Sequence, residues 1–187
     1  GESGLISGEH WLLKDLLDFS LVTSANDGIR AIALALGSIS SSTPNTELVI
    51  ADFVKRMNAK AESLGMTSTY YLNDTGLDES GNRGGAYGSA IDQARLAEYI
   101  TKNYPTLLSA TRKPSLSITS LDGITHMALN TNSIVALIPG LMASKTGSTN
   151  IAGGNLIVIF DPEIGRPIIV SVLGSTEEGR FDDVLKL

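Results

Sequence analysis

The stretch PGLMASKTGSTNIAGGNLIVIF, residues 139–160, decides how this chain folds. Lys145-Thr146-Gly147 lies inside a strand candidate at about 141–148. Asn150 and the Gly153-Gly154 pair then shape a turn, and the apolar run NLIVIF forms a second strand at 155–160. Short apolar runs bounded by turn residues read as strands with a buried face. PIIVSVLG at 167–174 is a third, and DPEIGR at 161–166 has the chemistry of a tight antiparallel connection. Lys145 taken alone is either a buried catalytic cation or a solvated lysine at a strand end.

Toward the N-terminus the pattern becomes helical. WLLKDLLDF (11–19) has apolar residues at helical spacing, and ANDGIRAIALAL (25–36) reads as a helix ending at Gly37. SISSSTPNT (38–46) is a serine-rich loop. Thr46-Glu47 opens a helix to about Leu64, with Gly65 as its stop. TSTYYL (67–72) is β-prone, and 73–88 reads as loop. Ser89 is an N-cap for a helix at about 90–103 that stops before Pro105. LSIT (116–119) and THMAL (125–129) flank Leu121-Asp122-Gly123 as a hairpin, and 177–187 begins a last helix. Helices first and a small antiparallel sheet after them make an α+β chain, mainly helical over about 5–110 and sheet-forming over about 111–187.

Composition narrows the function. A net charge of −6 is a poor match to nucleic acid, which needs a basic face to release phosphate counterions. With no cysteine, disulfides and thiolate chemistry are excluded. With only His10 and His126, a multi-histidine zinc site and a serine–histidine pair are poorly supplied. No metal and no cofactor is called for. No apolar stretch reaches the ~18 residues of a membrane span.

Chemistry concentrates in two short motifs. Ser24-Ala25-Asn26 stands at a helix junction, and Lys145-Thr146-Gly147 follows about 120 residues later on a strand. Alone, Ser24 reads as a helix cap and Asn26 as an ordinary first-turn residue. Together the pair has the form of the S-x-N and K-T-G elements of serine β-lactamases and penicillin-binding proteins. SGLISGEHWLLKDLLDFSLVTSANDG, FVKRMNAKAESLGMTSTYYLNDTGLD and PGLMASKTGSTNIAGGNLIVIF resemble successive segments of a D-alanyl-D-alanine carboxypeptidase, a low-molecular-mass penicillin-binding protein. The likeness runs from about Ser3 to Gly174.

The resemblance implies a β-lactamase/transpeptidase-like fold and an acyl-enzyme mechanism on peptidoglycan stem peptides ending in D-Ala-D-Ala, blocked by β-lactams, outside the cytoplasmic membrane. It implies that Ser24 relays a proton and that Asn26 binds the peptide carbonyl. Lys145 supplies positive potential, and Thr146 holds the terminal carboxylate. Gly147 lets substrate lie close to the strand, and the Ser148 N–H is one oxyanion donor. A perturbed Lys145 pKa is expected there, in a direction the sequence does not indicate.

The nucleophile belongs to a third element, S-x-x-K. Three residues before the seven lysines stand Trp11, Asp52, Met57, Tyr99, Ala110, Met142 and Asp183, so these residues contain no S-x-x-K. The resemblance then implies the C-terminal portion of a carboxypeptidase domain, without its first strands, its central helix, its nucleophile and its lysine base. Such a chain alone should not form an acyl enzyme. Its open sheet edge should need an associated N-terminal segment or self-association, or leave it marginally stable. A serine β-lactamase and a non-catalytic peptidoglycan- or partner-binding module are the alternatives. Other polar residues have simpler readings: Trp11 as core or a lobe contact, His126 as an exposed or hydrogen-bonded strand histidine, and Arg166 and Arg180 as surface residues, although an arginine near the cleft would assist carboxylate binding. Asp74, Asp78, Glu79 and Asp92 lack the spacing of a calcium loop and read as solvated carboxylates.

Overall fold

A computed structural model describes residues 3–40 and 45–187. Helix α1 spans Leu13–Thr23, and α2 follows at Asn26–Ser40 after a two-residue break. Helix α3, Thr46–Ser63, is capped by Asn45, whose side-chain oxygen accepts from the Glu47 and Leu48 N–H groups. Strands β1 (Tyr70–Tyr71) and β2 (Ala86–Tyr87) pair antiparallel. Helix α4, Ala90–Asn103, is capped by Ser89, which accepts from the Asp92 N–H at 3.2 Å. The hairpin β3 (Ser115–Thr119) and β4 (Thr125–Leu129) turns at Gly123, φ +80°. Strands β5 (Leu141–Thr149), β6 (Gly153–Phe160) and β7 (Ile168–Ser175) form an antiparallel sheet in that order, and α5, Gly179–Lys186, ends the chain.

Strand β6 shows why the sheet stands where it does. Successive side chains of a strand point to opposite faces. Leu156 and Val158 pack with Phe181 and Val184 of α5, whereas Ile157 and Ile159 pack with Ala97 of α4 and Ala143 of β5. A strand covered on both sides must be apolar throughout, which explains NLIVIF. The helical part has its own centres. Phe19 and Val22 of α1 meet Ala128 of β4, while Ala33 of α2 meets Ile50 and Val54 of α3. Trp11 packs on Phe19 and His126, with ring centroids 5.8 and 5.0 Å away.

Several expectations change. The first helix runs four residues beyond Phe19, to Thr23, because its apolar face continues into Val22. The second passes through Gly37 to Ser40, so residues 38–40 are helical; residues 41–44 of the expected loop lie outside the described residues. Gly37 is a packing residue rather than a stop: a Cβ there would stand 2.5 Å from Val49 Cγ1. Only Tyr70–Tyr71 of the β-prone run is strand, and Ala86–Tyr87 of the expected loop pairs with it. Gly153 and Gly154 belong to β6, where Gly154 lets the Thr176 carbonyl approach.

Asp74 and Asp92 are buried, not solvated. Burial opposes the Asp92 charge, but donors from Ser68 N–H and Thr69, with Arg95 alongside, outweigh it and lower its pKa. Asp74 faces the Arg30 guanidinium at 3.3 Å. His126 is buried and bonds Glu9 Oε1 at 2.8 Å.

Two stability measurements follow. Gly37→Ala is expected to cost about 1–3 kcal/mol through overpacking, read as a lower midpoint in urea or thermal unfolding. Burial opposes the Glu9 charge as well, but hydrogen bonds from Ser120, His126, the Ile6 N–H and Trp11 lower its pKa from 4.5 to about 2. A depressed carboxylate stabilises above its unfolded pKa and loses that contribution as pH falls through the folded one. Unfolding free energies measured between pH 4.5 and 2 should therefore fall less steeply in Glu9→Gln than in the wild type.

Candidate active site

The K-T-G strand is one wall of a cleft of about 790 Å³, and the α1–α2 junction is the other. The junction has an unusual backbone. Ser24 caps α1 in the left-handed region at φ +56°, the one non-glycine residue with positive φ among the described residues. Serine pays a steric cost there, so surrounding contacts must hold it. The Ala25 N–H donates to Ser20 O at 3.1 Å, and Gly28 lets α2 close against the Ser20 hydroxyl, where any Cβ would collide. The turn aims the Ser24 side chain across the cleft and leaves Asn26 exposed on its rim.

From the other wall, Lys145 Nζ donates a short hydrogen bond to Ser24 Oγ and a second, at 2.8 Å, to Thr146 O. Burial and the neighbouring Arg180 cation lower its pKa from 10.5 to about 8. Both causes disfavour a charged ammonium: one removes water, the other adds like charge. Thr146 is buried, while Gly147 and Ser148 are exposed further along the strand. The cleft thus brings together Ser24, Asn26, Lys145, Thr146, Gly147 and Ser148.

Two further residues stand at the cleft. Arg180, read as a surface residue, is buried: Nη1 donates to Gly147 O at 2.8 Å and its guanidinium lies 4.8 Å from the Phe181 ring centre. It takes this place because α5 packs Phe181 and Val184 on the sheet and carries their neighbour inward. Thr131 stands between the walls, 3.3 Å from Ser24 Oγ and 2.5 Å from Thr146 Oγ1. Asn-Thr-Asn at 130–132 reads locally as a turn, and nothing in its letters points to the cleft. Arg166 is exposed beside Glu163, and His126 is enclosed by Trp11, Phe19 and Glu9 rather than lining the cleft. Among the described residues no group of three or more His, Asp or Glu could hold a metal ion.

Chemically, the arrangement offers two cations, a row of hydroxyls and an exposed strand edge. It can hold an acceptor-only anion such as a carboxylate and move a proton along Lys145–Ser24.

Comparison with known proteins agrees with this geometry. The family model described as D-alanyl-D-alanine carboxypeptidase matches residues 4–177. The chain belongs to the D-alanyl-D-alanine carboxypeptidase family. It is 29% identical over 180 residues to the D-alanyl-D-alanine carboxypeptidase DacF of Bacillus subtilis, covering 96% of this chain and 42% of that one. It is 29% identical over 176 residues to DacB2 of Mycobacterium tuberculosis, covering 94% and 55%. It therefore spans about half the length of these relatives. A Listeria monocytogenes penicillin-binding protein solved with ampicillin bound superposes with a TM-score of 0.77 at 32% identity, over 95% of this chain and 66% of that one. A Streptomyces DD-transpeptidase shares the fold with a TM-score of 0.82 at 23% identity, over 98% and 69%.

The depressed Lys145 pKa has a measurable consequence. Carboxylate ligands should bind the protonated amine, so affinity is expected to fall as pH rises through about 8. Arg180→Gln removes a like charge, so the Lys145 midpoint should move upward, as read by carbon-13 NMR titration of the lysine Cε.

Proposed function

We propose that the whole protein is a serine-type carboxypeptidase that releases the terminal D-alanine from peptidoglycan stem peptides ending in D-Ala-D-Ala. One observation carries the proposal: Lys145 of K-T-G reaches Ser24 of S-x-N across a single cleft. Family membership and the two named carboxypeptidase relatives support the same reaction class.

The geometry and the family pattern support the following roles. Thr146 and Lys145 receive the terminal carboxylate, with Arg180 adding positive potential behind them. Gly147 carries no side chain, so the peptide lies against β5. Asn26 on the opposite rim binds the peptide carbonyl. An upstream S-x-x-K serine attacks the carbonyl carbon of the penultimate D-alanine, and its lysine takes the hydroxyl proton. The tetrahedral oxyanion is held by the Ser148 N–H and the nucleophile's own N–H. Ser24 passes a proton to the departing D-alanine nitrogen, the C–N bond breaks, and water later cleaves the acyl enzyme. β-Lactams would acylate the same serine, and the substrate places the protein outside the cytoplasmic membrane. Among the described residues no helix is long and apolar enough to cross a membrane.

Labelled penicillin tests the assignment. Peptide mapping of the treated full-length protein should find the adduct on an upstream S-x-x-K serine and none within residues 1–187. An adduct on Ser24 would overturn this division of roles.

A further inference from the structure

We propose that Thr131 is a positioning residue that transmits the identity of the substrate's C-terminal group to the Ser24 hydroxyl. The inference rests on the carboxypeptidase reading of this cleft and adds to it a hydroxyl relay: Lys145 Nζ, Ser24 Oγ, Thr131 Oγ1 and Thr146 Oγ1 stand in one continuous chain of hydrogen bonds.

Thr131 is exposed, yet its backbone is fixed from three sides. Its own N–H donates to Val22 O at 3.2 Å, which ties it to the last turn of α1. Asn130 Nδ2 donates to the carbonyls of Thr111 and Lys113, each at 2.8 Å. Asn132 is fully buried, donates to Ser144 Oγ at 3.0 Å and accepts from the Ile134 N–H. Ser144 is in turn held by Thr111. Two anchored asparagines thus present one threonine hydroxyl at the point where the walls meet. Such a rigid support suits a side chain whose direction matters.

The direction of the chain depends on the ligand. Each hydroxyl has one proton to donate and lone pairs to accept, whereas a carboxylate only accepts. A carboxylate at Thr146 makes Thr146 donate outward, so its oxygen accepts from Thr131. Thr131 then has no proton to give Ser24, so one Ser24 lone pair faces Lys145 and another stays open to receive a proton from the upstream lysine, while the Ser24 proton resting on Thr131 turns to the departing nitrogen. A neutral C-terminal amide can donate to Thr146, which permits the opposite direction and fills the Ser24 lone pairs. Hydrogen bonds in a line polarise one another, so the whole chain favours a single direction. Free-carboxylate substrates would therefore be selected at the chemical step as well as in binding.

Steady-state kinetics of the full-length protein test this with an N-acyl-D-Ala-D-Ala peptide and its C-terminal amide. Thr131→Val should lower kcat on the free acid about tenfold while KM stays within about twofold, and Thr131→Ser should restore kcat. Any turnover of the amide should be unaffected by the valine. An unchanged kcat on the free acid, a change in KM alone, or an equal fall on both compounds overturns the relay and leaves the carboxypeptidase reading standing. No turnover of the free acid by the wild type overturns both. If circular dichroism shows that the valine variant does not fold, Thr131→Ala replaces it with the same expected outcomes.

Discussion

An ammonium group that must cross a cleft to reach a hydroxyl constrains both walls at once. Lys145 can donate to Ser24 only if β5 and the α1–α2 junction face each other at one fixed separation. Each wall is accordingly built into its own core. β5 is paired with β6, whose two faces are packed by α4 and α5. The junction is held by α1 against the β3–β4 hairpin and by the close approach of α2 to Ser20. Between the walls, Asn132, Ser144 and Thr111 form a buried polar network that, with Asn130 beside it, ties the hairpin to β5. Buried polar networks of this kind hold position because each unsatisfied member would be costly.

The same constraint shapes the electrostatics. Lys145 is largely enclosed and has a second cation near it, so its proton is held less tightly than on a solvated lysine. A group with a pKa near 8 changes charge close to physiological pH and can both attract an anion and exchange a proton. Arg180 holds the Gly147 carbonyl and thereby the line of β5, so one guanidinium sets both the local potential and the strand's position.

Much of this was legible from local signals. Ser89 declares the start of α4 through its own side chain, and Asp122-Gly123 declares the hairpin turn. NLIVIF declares a strand, and S-x-N with K-T-G declares the two walls. Gly37, Asp92 and Arg180 went the other way. A glycine near a helix end looks like a stop, yet α2 continues because Val49 of α3 occupies the space a side chain would need. Asp92 looks solvated, yet Ser68 and Thr69 come 24 and 23 residues along the chain to bond it. Arg180 looks like a surface charge because its neighbours Gly179 and Phe181 say nothing about which carbonyl lies opposite.

Caps, turns and strand periodicity act over a few residues, so the sequence by itself determined the order of the helices and longer strands and the identity of the two motifs. The left-handed backbone of Ser24, the seat of Thr131 and the depressed Lys145 pKa were decided only by the tertiary structure. Ser24 meets Thr131 across 107 positions and Lys145 across 121. Contacts at that separation exist only after the cores have closed, because packing rather than local propensity brings the partners together.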